Sequence, residues 1–252
     1  MSADNNAKDL SYQELQELSR QFDRQLEDLS RGDKSRAASR SFKSRLAKWG
    51  LYLLFLLLGL LLPFILLIRT SVYTYAAHGL NGWLALSLGV LSTIVLLLGY
   101  ALLVSYRYSG RLRLNKYVQA GIAVMVLAYS IYGLVYYSGM NTKTEEVRSY
   151  YRSLHPIVRV SLSTVTFADS DIIVTDIQRE PADYARMGLP ENQHSLHYVQ
   201  DNGYVHAVDL RTRGRPEWQN WLMRASMELI GLQTLRHTGT ADHLHVYLPL
   251  ND

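Results

Sequence analysis

Residues 49–68 read WGLYLLFLLLGLLLPFILLI, a run without a single charge, and this run decides the architecture. Roughly 20 apolar residues at 1.5 Å rise per residue cross a hydrocarbon core of about 30 Å. Pro63 falls late in the run, where membrane helices tolerate it. The run is too long and starts too far from Met1 for a cleaved signal peptide, and no small-residue cleavage site follows it. Two more uncharged runs follow, over residues 80–105 and 117–138. The sequence therefore predicts three transmembrane helices within residues 49–140. A polar tail (1–48) precedes them and a C-terminal domain (141–252) follows. Tyr129, Tyr132, Tyr136 and Tyr137 crowd the end of the third run and fit an interfacial aromatic belt.

Positive charge sets the expected orientation. Arg31, Lys34, Arg36, Arg40, Lys43, Arg45 and Lys48 precede the first span, and Arg107, Arg111, Arg113 and Lys116 fill the loop between the second and third. The loop between the first and second has only Arg69. The positive-inside rule then puts the N-terminus in the cytoplasm and the C-terminal domain outside, in a bacterial inner membrane with a periplasmic domain. The spans hold no charged residue, which argues against a pump or channel. A net charge of +4 is too small to indicate nucleic acid, and the basic residues already have a membrane explanation. With no cysteine, disulfides and thiolate metal sites are excluded.

In the tail, Leu15, Leu18, Phe22, Leu26 and Leu29 recur at spacings of three and four and form one helical stripe. Two readings stand: a helix for a partner or for self-association, and a solvated tail with a weak stripe. Residues 32–41 read as a flexible basic linker. The C-terminal domain reads as α+β. Residues 158–162, 171–175, 204–210 and 243–248 are expected strands. Residues 216–230 are an expected helix, with Trp218, Trp221, Leu222, Ala225 and Leu229 as its apolar face.

Seven of the 8 histidines lie in this domain: His155, His194, His197, His206, His237, His243 and His245. A metal site without cysteine must use histidine and carboxylate, and a catalytic one needs three such ligands plus water. His155, His194 and His237 read as ordinary surface or core residues. In the final strand, His243 and His245 share a face.

Two segments carry a resemblance. Ser195-Leu196-His197-Tyr198 is followed by Ala207-Val208-Asp209-Leu210, and Asp242-His243-Leu244-His245 closes the domain. Together they resemble the zinc D-alanyl-D-alanine carboxypeptidase and dipeptidase superfamily, which includes phage L-alanyl-D-glutamate endolysins and the Hedgehog amino-terminal domain. The resemblance covers the C-terminal domain only. It implies a small antiparallel sheet with helices, Zn2+ as cofactor, and His197, Asp209 and His245 as its ligands. It implies Asp242 as general base, Arg179 (in Thr175-Asp176-Ile177-Gln178-Arg179) as the group that binds and polarises substrate, Ser195 at a substrate carboxylate, and His243 beside the site. Eleven residues separate His197 from Asp209, more than the family spacing, and residues 199–204 read as an inserted turn. The insertion leaves His206 as an alternative ligand, although a residue three positions from Asp209 on a regular strand faces the other way.

The expected function is a membrane-anchored zinc metallopeptidase hydrolysing peptidoglycan stem peptides. The alternative is a non-catalytic zinc module that binds wall peptide or a protein partner. A purely structural membrane scaffold is the third reading.

Overall fold

A computed structural model describes residues 12–186, 188, 190, 192–239 and 242–250, with no side-chain placement for residues 12, 13 and 29–44. The chain forms two compact units, one up to Leu60 and one from Leu61 onward. The described part of the first unit is helical throughout. It belongs to α1 (Tyr12–His78), which includes the expected linker at residues 32–41. Along it Leu15, Leu18, Phe22 and Leu26 are all exposed. Leu29 and the basic side chains from Arg31 to Lys43 lie outside the described side chains.

Three helices are long and apolar enough to span a membrane. They are the Arg45–His78 part of α1 (34 residues), α2 (Gly82–Ser109, 28 residues) and α3 (Lys116–Val135, 20 residues). Asn81 and Asn115 cap the N-termini of α2 and α3 with their side chains. Gly110 ends α2 in the left-handed region, at φ 66°.

The close approach of α1 and α2 rests on Gly89. A Cβ there would lie 2.2 Å from both the Leu67 carbonyl oxygen and Ser71 Oγ. Small residues at such crossings let helix backbones meet inside a bilayer.

Four short elements follow: a 3-10 turn at Gly139–Asn141, α4 (Glu145–Ser149), a second 3-10 turn at Tyr150–Ser153, and α5 (Pro156–Ala168). Residues 158–162, expected as a strand, are helical in α5. Their β-branched alternation is overridden by tertiary context. Pro156 and the His155 cap start a helix, and residues 156–163 of α5 are buried on every side, Arg159, Ser161 and Ser163 included, while Phe167 near its end is exposed. The hydroxyls of Ser161, Thr164 and Thr166 bond carbonyls one turn back, so they need no water. Arg159 donates to the Leu134 carbonyl at the end of α3 (2.9 Å). Tyr129 and Thr164 share a hydrogen bond of 2.7 Å.

The tyrosine belt is accordingly split. Tyr132 and Tyr136 are exposed, whereas Tyr137 is buried and stacks on Tyr151 with ring centroids 4.9 Å apart.

The remaining elements are β1 (Val174–Asp176), α6 (Pro181–Arg186), β2 (Ala207–Arg211), α7 (Glu217–Leu229), β3 (Gln233–His237) and β4 (His243–Tyr247). They build a four-stranded antiparallel sheet in the order β1-β2-β4-β3. β3 was not expected from the sequence. β1 sits slightly later than expected, and its register against β2 shifts between Val174 and Asp176.

One core runs from Leu67, Ile68 and Leu86 of the first two spans through Ile157 and Leu162 to Leu210 and Leu244 of the sheet. The ends of the first two apolar helices nearest their connection and the sheet are therefore one packed body. On α7 the expected apolar face is turned outward. Asn220, Met223 and Met227 are its buried residues, while Trp218, Trp221, Leu222 and Leu229 are exposed.

Gly89→Ala is expected to force α1 and α2 apart and lower the melting temperature of the detergent-solubilised chain, at a cost of about 1–3 kcal/mol. Gly99→Ala, where a Cβ meets nothing within 4 Å, should leave the melt unchanged. Equal melts for the two variants would show that this contact does not hold the helices together.

Candidate metal centre

Residue parity in the sheet separates two faces. Asp209 pairs with His245, Leu235 with His245, and His237 with His243, so these side chains share one face. Val208, Leu210, Leu244 and Val246 share the other and are buried. Asp209 and His245 come from adjacent strands. His197 arrives from a turn held at both ends: the Arg179 amide donates to the His197 carbonyl (3.0 Å) and the His206 amide to the Leu196 carbonyl (3.0 Å).

Three donor atoms converge there. His197 Nε2 lies 3.2 Å from His245 Nδ1 and 3.3 Å from Asp209 Oδ1, and His245 Nδ1 lies 2.8 Å from the same oxygen. This group is the one His/Asp/Glu cluster found among the described residues that could hold a metal ion. Tetrahedral coordination at bond lengths of about 2.0 Å needs ligand atoms about 3.3 Å apart, and the observed separations come close to that. The tautomer agrees. His197 Nδ1 lies 2.7 Å from the Ile177 carbonyl, which can only accept, so Nδ1 carries the proton. His197 Nε2 then points at the Asp209 carboxylate. Such a convergence of electron pairs calls for a cation among them, a proton or a metal ion. The residues fit a metal.

Burial works to raise the Asp209 carboxyl pKa. Hydrogen bonding to the His197 and His245 rings and the charge of the histidines outweigh it, so the group is held well below the usual carboxylate range. Its outer oxygen, Oδ2, accepts from Arg179 Nη2 at 2.6 Å, and Arg179 Nε donates to Asp176 at 2.6 Å. Burial opposes the Arg179 charge, but the two carboxylates more than compensate and hold it raised. Arg179 thus acts on the carboxylate that the sequence names as a ligand. His243 Nε2 stands 3.6 Å from the same Oδ2 and stacks on His237 at 4.8 Å. Burial and the neighbouring His243 and His245 lower the His237 pKa. Sequence reasoning passed over His237, because the strand that carries it was not recognised.

The other expected site residues have committed partners. Ser195 is buried, accepts from the Tyr184 hydroxyl at 2.8 Å and from the His197 amide at 3.3 Å, and so holds the His197 turn. Asp242 gives both carboxylate oxygens to Arg236, at 2.7 and 2.8 Å, and Arg236 also binds Glu217. Arg236 belongs to the helix-side parity of β3, opposite the histidines.

His206 is not in the cluster. It is fully buried, donates from Nδ1 to the Leu248 carbonyl (3.2 Å) and accepts at Nε2 from Asn202 (2.8 Å). The inserted turn at residues 199–204 therefore folds back onto His206, with Gly203 at φ 80°. Beside it lies His155, whose ring centroid is 4.8 Å from that of His206. Burial, then the His206 and Arg159 charges, lower the His155 pKa to about 3.

No protein-family model, curated protein or solved structure matches the chain.

Two outcomes follow. Full-length protein purified in detergent and reconstituted with divalent metal should carry about one ion per chain by elemental analysis, as a single three-ligand site would. His197→Ala and His245→Ala should lose it, and His206→Gln should keep it. Retention in the first two would exclude the cluster as the site. Acid sensitivity has a different source. A histidine at 6.5 unfolded and about 3 folded contributes stability that is complete above 6.5 and lost as pH falls towards 3, by about 1.4 kcal/mol per pH unit. His155→Asn preserves a capping side chain and should flatten the fall in melting temperature between pH 6.5 and 4. An unchanged slope would remove His155 as its cause.

Proposed function

We propose that the chain is a membrane-anchored zinc metallopeptidase that hydrolyses peptidoglycan stem peptides, as a D-Ala-D-Ala carboxypeptidase or related endopeptidase. The observation that carries this reading is the convergence of His197, Asp209 and His245, with His197 fixed by Ile177 in the tautomer a metal requires. The resemblance of the Ser195–Tyr198, Ala207–Leu210 and Asp242–His245 segments to the Hedgehog-like carboxypeptidase superfamily supplies the substrate class. In this reading the N-terminus is cytoplasmic and the sheet domain periplasmic, as the basic residues beside the spans favour. The N-terminal stripe is left to a protein partner or to self-association.

When bound, zinc supplies a Lewis acid and a nucleophile at neutral pH. The chain's own groups do the rest. Arg179 fixes the Asp209 carboxylate through Oδ2, leaving Oδ1 toward the cluster. His243, on the cluster's face and part-exposed, accepts the proton released as the peptide carbonyl is attacked and passes it to the leaving amine. Asp242, the base implied by resemblance, takes that role only if it leaves Arg236 in the substrate complex.

A second reading has its own support. Arg179, Ser195 and Asp242, three groups expected at substrate, are all bonded within the chain. That favours a zinc module that binds wall peptide or a protein partner without cleaving it.

The discriminating assay uses the full chain in nanodiscs with a stem pentapeptide ending in D-Ala-D-Ala, and related wall fragments. Release of D-Ala or a shorter peptide, abolished by chelation and restored by zinc, is the expected result. His243→Ala should then keep zinc and lose roughly 10²–10⁴-fold in turnover, the usual scale for a general acid–base group. The same loss in Asp242→Asn, with zinc retained and His243→Ala active, would return the role to Asp242. Zinc-loaded protein inert on every fragment would leave the binding module.

A further inference from the structure

The outward face of α7 is exposed among the described residues, and it is neither small nor polar. Trp218, Trp221, Leu222 and Leu229 are 62, 66, 46 and 55 % exposed, and with Ala225 they fall at i, i+3, i+4, i+7 and i+11. At 3.6 residues per turn these positions occupy an arc of roughly 100°. Asn220, Met223 and Met227, the buried residues, occupy the opposite side. A soluble helix does not ordinarily leave its most apolar stripe in water.

The position of α7 indicates what covers that stripe. Arg69 is the first charged residue after the apolar run of the first span. Its Nη1 donates to the carbonyls of Glu228 (3.3 Å) and Leu229 (3.2 Å), the last turn of α7. Carbonyls of a last turn have no amide one turn on to accept from; the Gly231 amide reaches that of Glu228 (3.0 Å), and a guanidinium suits the negative end of the helix dipole. Just beyond, Gly231 at φ 102° lets the chain pass against α1, where a Cβ would lie 3.1 Å from Val72 Cγ1. The C-terminal end of α7 is therefore fastened to the first span at the level where its apolar run ends, which is the boundary between hydrocarbon and water.

We propose that α7 is an interfacial helix, seated on the outer surface of the same bilayer that the three spans cross, with Trp218, Trp221, Leu222 and Leu229 in the lipid headgroup region. Tryptophan and leucine on one face, with charged residues such as Arg224 and Glu217 to the side, is the composition such helices use. The spans already hold the domain at the surface, so the helix need not recruit it from solution.

The seat also orients the candidate metal centre. Arg236, on the helix-side face of the sheet, binds Glu217 of α7, whereas Asp209, His243 and His245 are on the other face. With α7 on lipid, the sheet stands between the bilayer and the histidines, and the cluster opens away from the membrane.

The absence of cysteine makes the test direct. Nitroxide labels are placed singly at Leu222→Cys and Leu229→Cys, at Arg224→Cys as the solvent reference and at Val124→Cys on α3 as the lipid reference, in full-length protein in nanodiscs of phosphatidylethanolamine and phosphatidylglycerol. Labels at 222 and 229 should relax more with oxygen than with a water-soluble nickel chelate, as at 124, and the label at 224 should show the reverse. Nickel accessibility at 222 and 229 equal to that at 224 overturns the proposal. So does dipolar broadening at 222 between two labelled chains, which would mean that a second copy covers the face. Melting temperatures matching the unlabelled chain confirm that each variant is folded, and the outcome is independent of zinc or peptidase activity.

Discussion

A helix rich in valine, threonine and serine, with an arginine near its start, is stable only if its sides are covered and most of its polar groups are answered from within. That is the situation of α5. Its hydroxyls bond the preceding turn, Arg159 answers an α3 carbonyl, and its apolar side chains join one end of the apolar helices to the sheet. Removing α5 would leave the underside of the sheet and the inner faces of the helix ends without a partner. The sheet is consequently built on one end of the apolar helices and shares their core.

This shared core makes the candidate metal centre rigid. Asp209 and His245 stand on neighbouring central strands, so their separation is set by the ladder between β2 and β4. His197 comes from a turn, and turns wander unless held. Here the Ser195 hydroxyl, the Ile177 carbonyl and the backbone bond to Arg179 hold it. The interactions that fix the cluster are nearly all on its outer side, which is how metal ligands are oriented elsewhere. The charge balance is local: Arg179 and His243 face one oxygen of Asp209, and His197 and His245 face the other.

The same economy of elements shows in α7. One side closes the helix-side core through Met223 and Met227, its last turn is held by Arg69 from the first span, and Glu217 near its start reaches Arg236. A single amphipathic helix thus touches the membrane segment, the sheet and, on our proposal, the lipid.

The sequence by itself determined the three spans, because a continuous uncharged run of membrane length has few other stable uses. It also determined the identity of the converging residues. His197, Asp209 and His245 were legible from motif order, and the parity argument against His206 agrees with its placement on Leu248 and Asn202. What only the tertiary structure decided are the elements whose local pattern is outweighed by their surroundings. Residues 158–162 alternate like a strand, yet burial on all sides makes them helical. The stripe of Trp218, Trp221 and Leu222 looks like a core face, yet Met223 and Met227 fill that place. β3 carries Leu235 and His237 outward on a short edge strand, where no strong alternation marks it. The partners of Arg179, Ser195 and Asp242 were equally out of reach, since a charge or hydroxyl in a sequence carries no record of which distant group will answer it.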